Sequence, residues 1–190
     1  MFARTPRLLL RPGWMEDAPA LAEAIGDGAI LRNLTSVPAP YCEADAREFL
    51  GQVQDPRLPS LLAFSRTLGA PRLIGGCGIH LGQEGEPELG YWIARRYWGL
   101  GFATEAARAV LNMARAAGVR DVRAAHFADN PASGNVLRKL GFRYSGRLEQ
   151  RYSPARGAAA DCMIFEQGLE GGEAADPAMD LYRDMPAMAA

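Results

Sequence analysis

The sequence predicts an α/β (α+β) domain, built on a mixed, mostly antiparallel sheet of six to seven strands with about four helices. Three observations carry this. Short apolar runs between residues 61 and 93 alternate with turn-rich stretches, the mark of linked hairpins. Ala103, Ala106, Ala107, Val110, Leu111 and Ala114 share one face at helical spacing. The strand after that helix is reached by a crossover, so it can run parallel to strand Glu88–Ile93.

The elements follow in order. Arg7 to Arg11 read as a strand stopped by Pro12-Gly13. Glu16 to Ile25 form a helix with acids in its first turn, where the dipole favours them. Leu31 to Tyr41, with Pro38 and Pro40, form a loop. Glu43 to Val53 form a second helix with Phe49, Leu50 and Val53 on its inner face. Leu61 to Thr67 and Leu73 to His80 are strands joined by a Gly-Ala-Pro turn, and Glu88 to Ile93 is the next hairpin partner. The long helix Ala103 to Ala117 ends at Gly118 in the C′ role. Asp121 to Phe127 is a strand, Ala132 to Leu140 a short helix, and Phe142 to Arg151 and Ala160 to Gln167 the closing strands. This gives β-α-α-β-β-β-α-β-α-β-β. Residues 1–168 are expected to form one domain, and 169–190 a tail with a helical turn near Leu181-Tyr182.

The composition is that of an ordinary globular chain, 48% apolar and 23% charged. A net charge of −1 gives no global pull toward nucleic acid, and none is expected as a partner. Cys42, Cys77 and Cys162 fit neither metal-ligand spacing nor a disulfide framework, so the expected setting is reduced and cytoplasmic, without a metal. Residues 1–12 lack the features of a secretion signal, and no apolar run approaches a membrane span.

The stretch from Gly90 to Ala106 carries the chemistry. A strand end, a loop holding Gly99 and Gly101, and a helix start turn backbone N–H groups and a positive dipole end toward one point. A phosphate or pyrophosphate is expected there. A Walker loop is excluded because Phe102-Ala103 stands where Lys-Ser/Thr is required. The dinucleotide fingerprint fails at Thr104 and lacks a surrounding βαβ unit. What remains is Arg96-x-x-Gly99-x-Gly101.

That motif resembles the coenzyme A pyrophosphate loop of the GNAT acetyltransferase superfamily. Asn130-Pro-Ala-Ser133, followed by a short helix and Gly141-Phe142, resembles the next part of the same superfamily. With Tyr-Trp-Gly-x-Gly-Phe-Ala-Thr-Glu-Ala, the pattern is similar to the RimJ/RimL-like branch, which contains the ribosomal-protein N-terminal acetyltransferases. The resemblance covers about residues 7 to 168 and is dense from 88 to 142. It implies an acyltransferase that uses acetyl-CoA as co-substrate and acts on an amine acceptor as a monomer or homodimer. It also implies a β-splay at the central parallel pair, with the pantetheine arm pairing to the backbone of Trp92, Ile93 and Ala94. The loop residues Arg96, Gly99, Leu100, Gly101, Phe102, Ala103 and Thr104 would hold the pyrophosphate. Asn130 and Ser133 would touch the pantetheine and sulfur.

Acyl transfer needs a neutral amine, in-line approach, a stabilised oxyanion and a leaving thiolate. No Ser-His-Asp or Cys-His unit is present, so direct attack in a ternary complex is expected. The backbone N–H of Ile93 is the candidate oxyanion donor. The family's usual tyrosine acid falls at Leu137; the resemblance to the RimL-like branch, where a serine on the preceding turn takes this part, implies Ser133 instead. Helix capping is the competing role for Ser133. Glu88 is the candidate base, set against a solvated strand-end carboxylate. His80 is a second candidate that could equally be a hydrogen-bonded strand-end residue, and His126 is expected to be packed. Trp92, Tyr97 and Trp98 either line the cleft or pack at its rim. The resemblance implies that the acceptor side is shaped by roughly Gly28 to Tyr41 and Gln150 to Ala160. Arg151 and Arg156 there point to a negatively charged acceptor, against a plain solvated loop. Two other readings stand beside the enzyme: a catalytically silent acyl-CoA-binding or regulatory module, and a nucleotide phosphate-binding protein.

Overall fold

The computed structural model describes residues 1–167 apart from Gln54, Leu68 and Gln83. The expected tail and its helical turn lie outside the described residues. Eight strands form one sheet in the order β1-β2-β3-β4-β5-β6-β8-β7. They are β1 (Ala3–Arg4), β2 (Leu8–Arg11), β3 (Ser60–Ser65), β4 (Arg72–Leu81), β5 (Pro87–Ile93), β6 (Arg123–Phe127), β7 (Phe142–Ser153) and β8 (Ala158–Gln167). The helices are α1 (Ala18–Ile25), α2 (Gly28–Leu31), α3 (Glu43–Gly51), α4 (Phe102–Ala116) and α5 (Pro131–Lys139). Every neighbouring pair is antiparallel except β5–β6, which is parallel. This is the mixed sheet that the hairpin-then-crossover order predicts.

Helices cover both faces. On one face α4 and α5 bury Ala106, Ala107, Val110, Leu111, Ala114 and Leu137 against Leu61, Ile79 and Leu89. On the other, α1, α2 and α3 pack Leu21, Ile30 and Ala46 against Leu62, Phe64 and Leu73. A strand covered on both sides has no polar face, which explains the continuous apolar run in β3. The α4 stripe lands where its periodicity places it. Its end is a Schellman motif: Val119 N–H reaches Ala114 O at 2.9 Å and Gly118 N–H reaches Arg115 O at 3.0 Å, with Gly118 at φ 88°.

Two local expectations change. Val53 is 100% exposed and Phe49 is exposed, while Ala46 is the buried contact of α3. The helix stops at Gly51 and its C-cap Gln52 is extended, so the helical phase no longer applies at Val53. The strand count rises to eight because Ala3–Arg4 pairs with Leu9 and Leu10.

Candidate active site

The parallel pair opens as the family resemblance implies. Its register holds only at Glu88↔Arg123 and Leu89↔Ala124, although β5 continues to Ile93 and β6 to Phe127. Ala94 N–H donates to Ile74 O at 2.8 Å, which marks Gly75↔Ile93 as a non-hydrogen-bonded pair of the β4–β5 ladder. By alternation, the N–H and C=O groups of Tyr91 and Ile93 point away from β4, into the wedge. Those of Trp92 point to Gly76. The backbone facing the wedge is therefore that of Tyr91 and Ile93, while the N–H groups of Trp92 and Ala94 face β4. The Trp92 side chain instead lies on the α1–α3 face over Gly76, where an added Cβ would stand 2.6 Å from the indole nitrogen. The Ile93 N–H faces the wedge, and its C=O accepts from Trp98 Nε1 at 2.6 Å.

At the mouth of the wedge, Gly99 and Gly101 take φ values of 73° and 81°, in the left-handed region that favours glycine. The first bond to the α4 start is Glu105 N–H to Gly101 O at 3.1 Å. The N–H groups of Phe102, Ala103 and Thr104 therefore precede the helical ladder, at the positive end of a 15-residue helix. These three residues, Gly99 and Gly101 line a continuous cavity of ≈ 590 Å³, a size suited to a cofactor. Ala94 is buried, whereas Arg96 and Leu100 are exposed on the loop, with the Arg96 guanidinium over the Tyr97 ring.

The loop is clamped from the turn between β1 and β2, far away in sequence. Glu105 accepts from Thr5 Oγ1 at 2.6 Å, Arg7 N at 2.9 Å and Arg7 Nε at 2.7 Å. Arg7 Nη1 donates to Leu100 O at 2.8 Å, and its guanidinium lies 4.3 Å from the Phe102 ring centre. Burial raises the Glu105 carboxyl, but the bonds from Thr5 and Arg7 outweigh it and hold the group below its ordinary 4.5. A depressed carboxyl contributes stability above its unfolded value and loses it as pH falls through the folded one. Melting temperature is therefore expected to fall as pH drops from about 5 to about 3, and Glu105→Gln to flatten that slope. A variant whose melting profile parallels the wild type over this window would refute the clamp's role.

Ser133 sits opposite Tyr91. Asn130 is the N-cap of α5, its Oδ1 accepting from Ser133 N–H at 3.3 Å. The cap is thus Asn130, and the Ser133 hydroxyl is free of that duty. That hydroxyl lies 2.7 Å from the Tyr91 hydroxyl, which also lies 3.0 Å from Ser133 O. Leu137 is 0% exposed, in the core. Strand periodicity places Tyr91 in β5 but gives no sign of this contact; its tyrosine identity is the one signal the sequence carries.

Glu88 is not a free carboxylate. Arg151 Nη1 and Nη2 donate to its two oxygens at 2.6 and 2.9 Å, and Nη2 also reaches Glu149 Oε2 at 3.0 Å. Both Glu88 oxygens are occupied by the guanidinium. His80 pairs across from Glu88 in register, its Nε2 3.9 Å from Glu88 Oε1. The His80 ring covers Gly90, whose added Cβ would lie 3.2 Å from it, and both residues line the cavity. His126 is packed as expected, its Nδ1 2.8 Å from Phe127 O and its ring against Phe165. Trp92, Tyr97 and Trp98 all line the cavity.

The basic loop is spent internally. Arg156 Nη1 and Nη2 bind both Asp129 oxygens at 2.9 and 2.8 Å, and Nε donates to Arg32 O. With Arg151 also paired, the basis for a negatively charged acceptor is gone. Asn33, Leu34, Thr35, Ser36 and Val37 line the cavity together with Phe49 and Leu50. Cys77 and Cys162 also line the cavity but are buried, and burial pushes the Cys162 thiol up to about 12. Neither is an activated nucleophile. Among the described residues no group of three or more His, Cys, Asp or Glu could hold a metal, and no helix is long and apolar enough to cross a membrane.

Comparison with known proteins agrees with this geometry. An uncharacterized N-acetyltransferase, p20, of Bacillus licheniformis is 28% identical over 166 residues, covering 85% of this chain and 92% of its own. RimL, a ribosomal L7/L12 alpha-N-protein acetyltransferase solved with coenzyme A, superposes with TM-score 0.72 at 20% identity, covering 87% of this chain and 97% of that one. The microcin C7 self-immunity acetyltransferase MccE, solved with acetyl-CoA and AMP, gives 0.69 at 17% identity, covering 87% and 94%. The family described as the acetyltransferase (GNAT) domain matches residues 7–143. The chain belongs to that family and is an acyltransferase.

Proposed function

We propose that the protein moves the acetyl group of acetyl-CoA to a primary amine by direct attack in a ternary complex. The observation that carries this reading is the open wedge, with the Ile93 N–H on one side, Ser133 on the other and the Gly99–Gly101 loop at its mouth. The loop and the first turn of α4 take the pyrophosphate. Tyr91, Ile93 and the Asn130 amide take the pantetheine arm.

The amine enters from the α1–α3 face as a neutral nucleophile. As the C–N bond forms, the Ile93 N–H stabilises the oxyanion. As the C–S bond breaks, the Ser133 hydroxyl donates to the sulfur. His80 receives the amine's proton and passes it to solvent, which returns one to the thiolate. Glu88, held by Arg151, takes the orienting part rather than that of the base. The Arg151, Glu88 and Glu149 trio carries one negative charge in excess, which favours a cationic or neutral amine over an anionic acceptor. The RimJ/RimL-like pattern of the motifs supports a protein N-terminus or a small amine of this kind.

The test is Ser133→Ala with a panel of amines, following thiol release. The substitution should lower kcat by about 10- to 100-fold and leave KM nearly unchanged, because the lost bond acts mainly in the transition state. Stability should fall by only about 1 kcal/mol, since Asn130 retains the cap. Unchanged kcat would remove Ser133 from the mechanism.

A further inference from the structure

We infer that Tyr91 is a positioning residue for the leaving-group step, holding the Ser133 hydroxyl so that its proton faces the sulfur. This rests on the role given above to Ser133. The phenol has one proton and two acceptors in reach, Ser133 O at 3.0 Å and Ser133 Oγ at 2.7 Å. If Tyr91 donates to the carbonyl, the Ser133 proton points back to the phenol oxygen and is withheld from the wedge. If Tyr91 donates to Oγ, the Ser133 proton is free to point at the sulfur. Rotation of the two O–H bonds interconverts the arrangements without moving a heavy atom.

Charge developing on the sulfur selects the second arrangement. It draws the Ser133 proton toward itself, and the phenol proton then offsets the negative charge growing on Oγ, as in any cooperative hydrogen-bond chain. Tyr91 keeps its proton throughout. Burial, the larger effect, pushes the phenol above its ordinary 10.0 against the opposing hydrogen bond of Ser133. No bond to Tyr91 forms or breaks, and the overall exchange remains amine plus thioester to amide plus thiol. The strand fixes the donor well: Tyr91 pairs in register with Cys77, and its side chain packs against the core under α4 and α5. The hydroxyl that a helix-borne tyrosine would present at Leu137 is thus replaced by two in series, one from β5 and one from α5.

The test is a double-mutant cycle with Tyr91→Phe, Ser133→Ala and the pair, assayed with acetyl-CoA and an accepted amine. Tyr91→Phe retains the ring and removes only the hydroxyl. Its kcat should fall about 10-fold, with KM for acetyl-CoA within about twofold. The pair should be no slower than Ser133→Ala alone, because both changes break one chain. Wild-type kcat in Tyr91→Phe, or losses that multiply in the pair, would overturn the inference while leaving Ser133 in place. Wild-type kcat in Ser133→Ala would overturn the Ser133 reading itself, and the inference with it. A melting curve of Tyr91→Phe separates these from misfolding, and Tyr91→Leu, which loses ring and hydroxyl, should match the kcat of Tyr91→Phe if the hydroxyl is what acts.

Discussion

Gly101→Val weakens binding of coenzyme A by at least about 2 kcal/mol, roughly 30-fold, while the folded sheet persists. Two effects act together. Gly101 sits at φ 81°, where a β-branched residue is strained, so the loop shifts. The same residue precedes the free N–H groups of α4, and valine methyls would intrude on the proposed approach of the phosphate oxygens. The free protein has room for a side chain: the nearest atom to an added Cβ is Arg7 Nη2 at 3.5 Å. The loss therefore shows in ligand binding more than in packing. Gly101→Asn separates the causes, since asparagine tolerates the left-handed region and restores the backbone with less bulk. Calorimetry should place Asn between wild type and Val. Unchanged affinity in a folded Val variant would remove the loop from the pyrophosphate site.

The loop and the α4 stripe were legible because both are local. Two glycines next to a helix start, and apolar residues every three or four positions, report on neighbours within about two turns. The antiparallel half and the parallel β5–β6 pair were legible for a related reason: hairpins and one crossover leave few topologies. What failed was non-local. Arg151 stands 63 residues from Glu88, and no periodicity relates them, so Glu88 read as a free carboxylate and Arg151 as a loop charge. Arg7 and Glu105 are 98 residues apart, and the clamp between them was equally silent. Strand edges were hidden too. Whether Trp92 or Ile93 faces the wedge depends on which β4–β5 pair is hydrogen-bonded, a parity that composition does not encode. Short elements escaped for lack of a repeat: Ala3–Arg4 is two residues and Gly28–Leu31 is four.

Arg151→Met is expected to cost about 3–5 kcal/mol of stability, the largest effect of any single substitution considered. Arg151 and Glu88 are 10% and 7% exposed, and Glu149 shares the guanidinium. Methionine fills much of the volume but leaves two carboxylates facing each other with no cation between them. The penalty is the uncompensated charge, not the lost attraction alone, because the pair itself roughly balances its own desolvation. The double variant Glu88→Gln with Arg151→Met should therefore recover part of the loss, being closer to neutral. For a chain of this length each kcal/mol moves the melting temperature by about 2–4 °C, so the single variant should melt roughly 10 °C lower. Denaturant melts of the three proteins decide the matter. A single variant within about 1 kcal/mol of wild type would mean that water already reaches Glu88 and that the trio is a solvated cluster. A large loss with recovery in the double variant would place a held carboxylate beside His80, on the face proposed for amine entry.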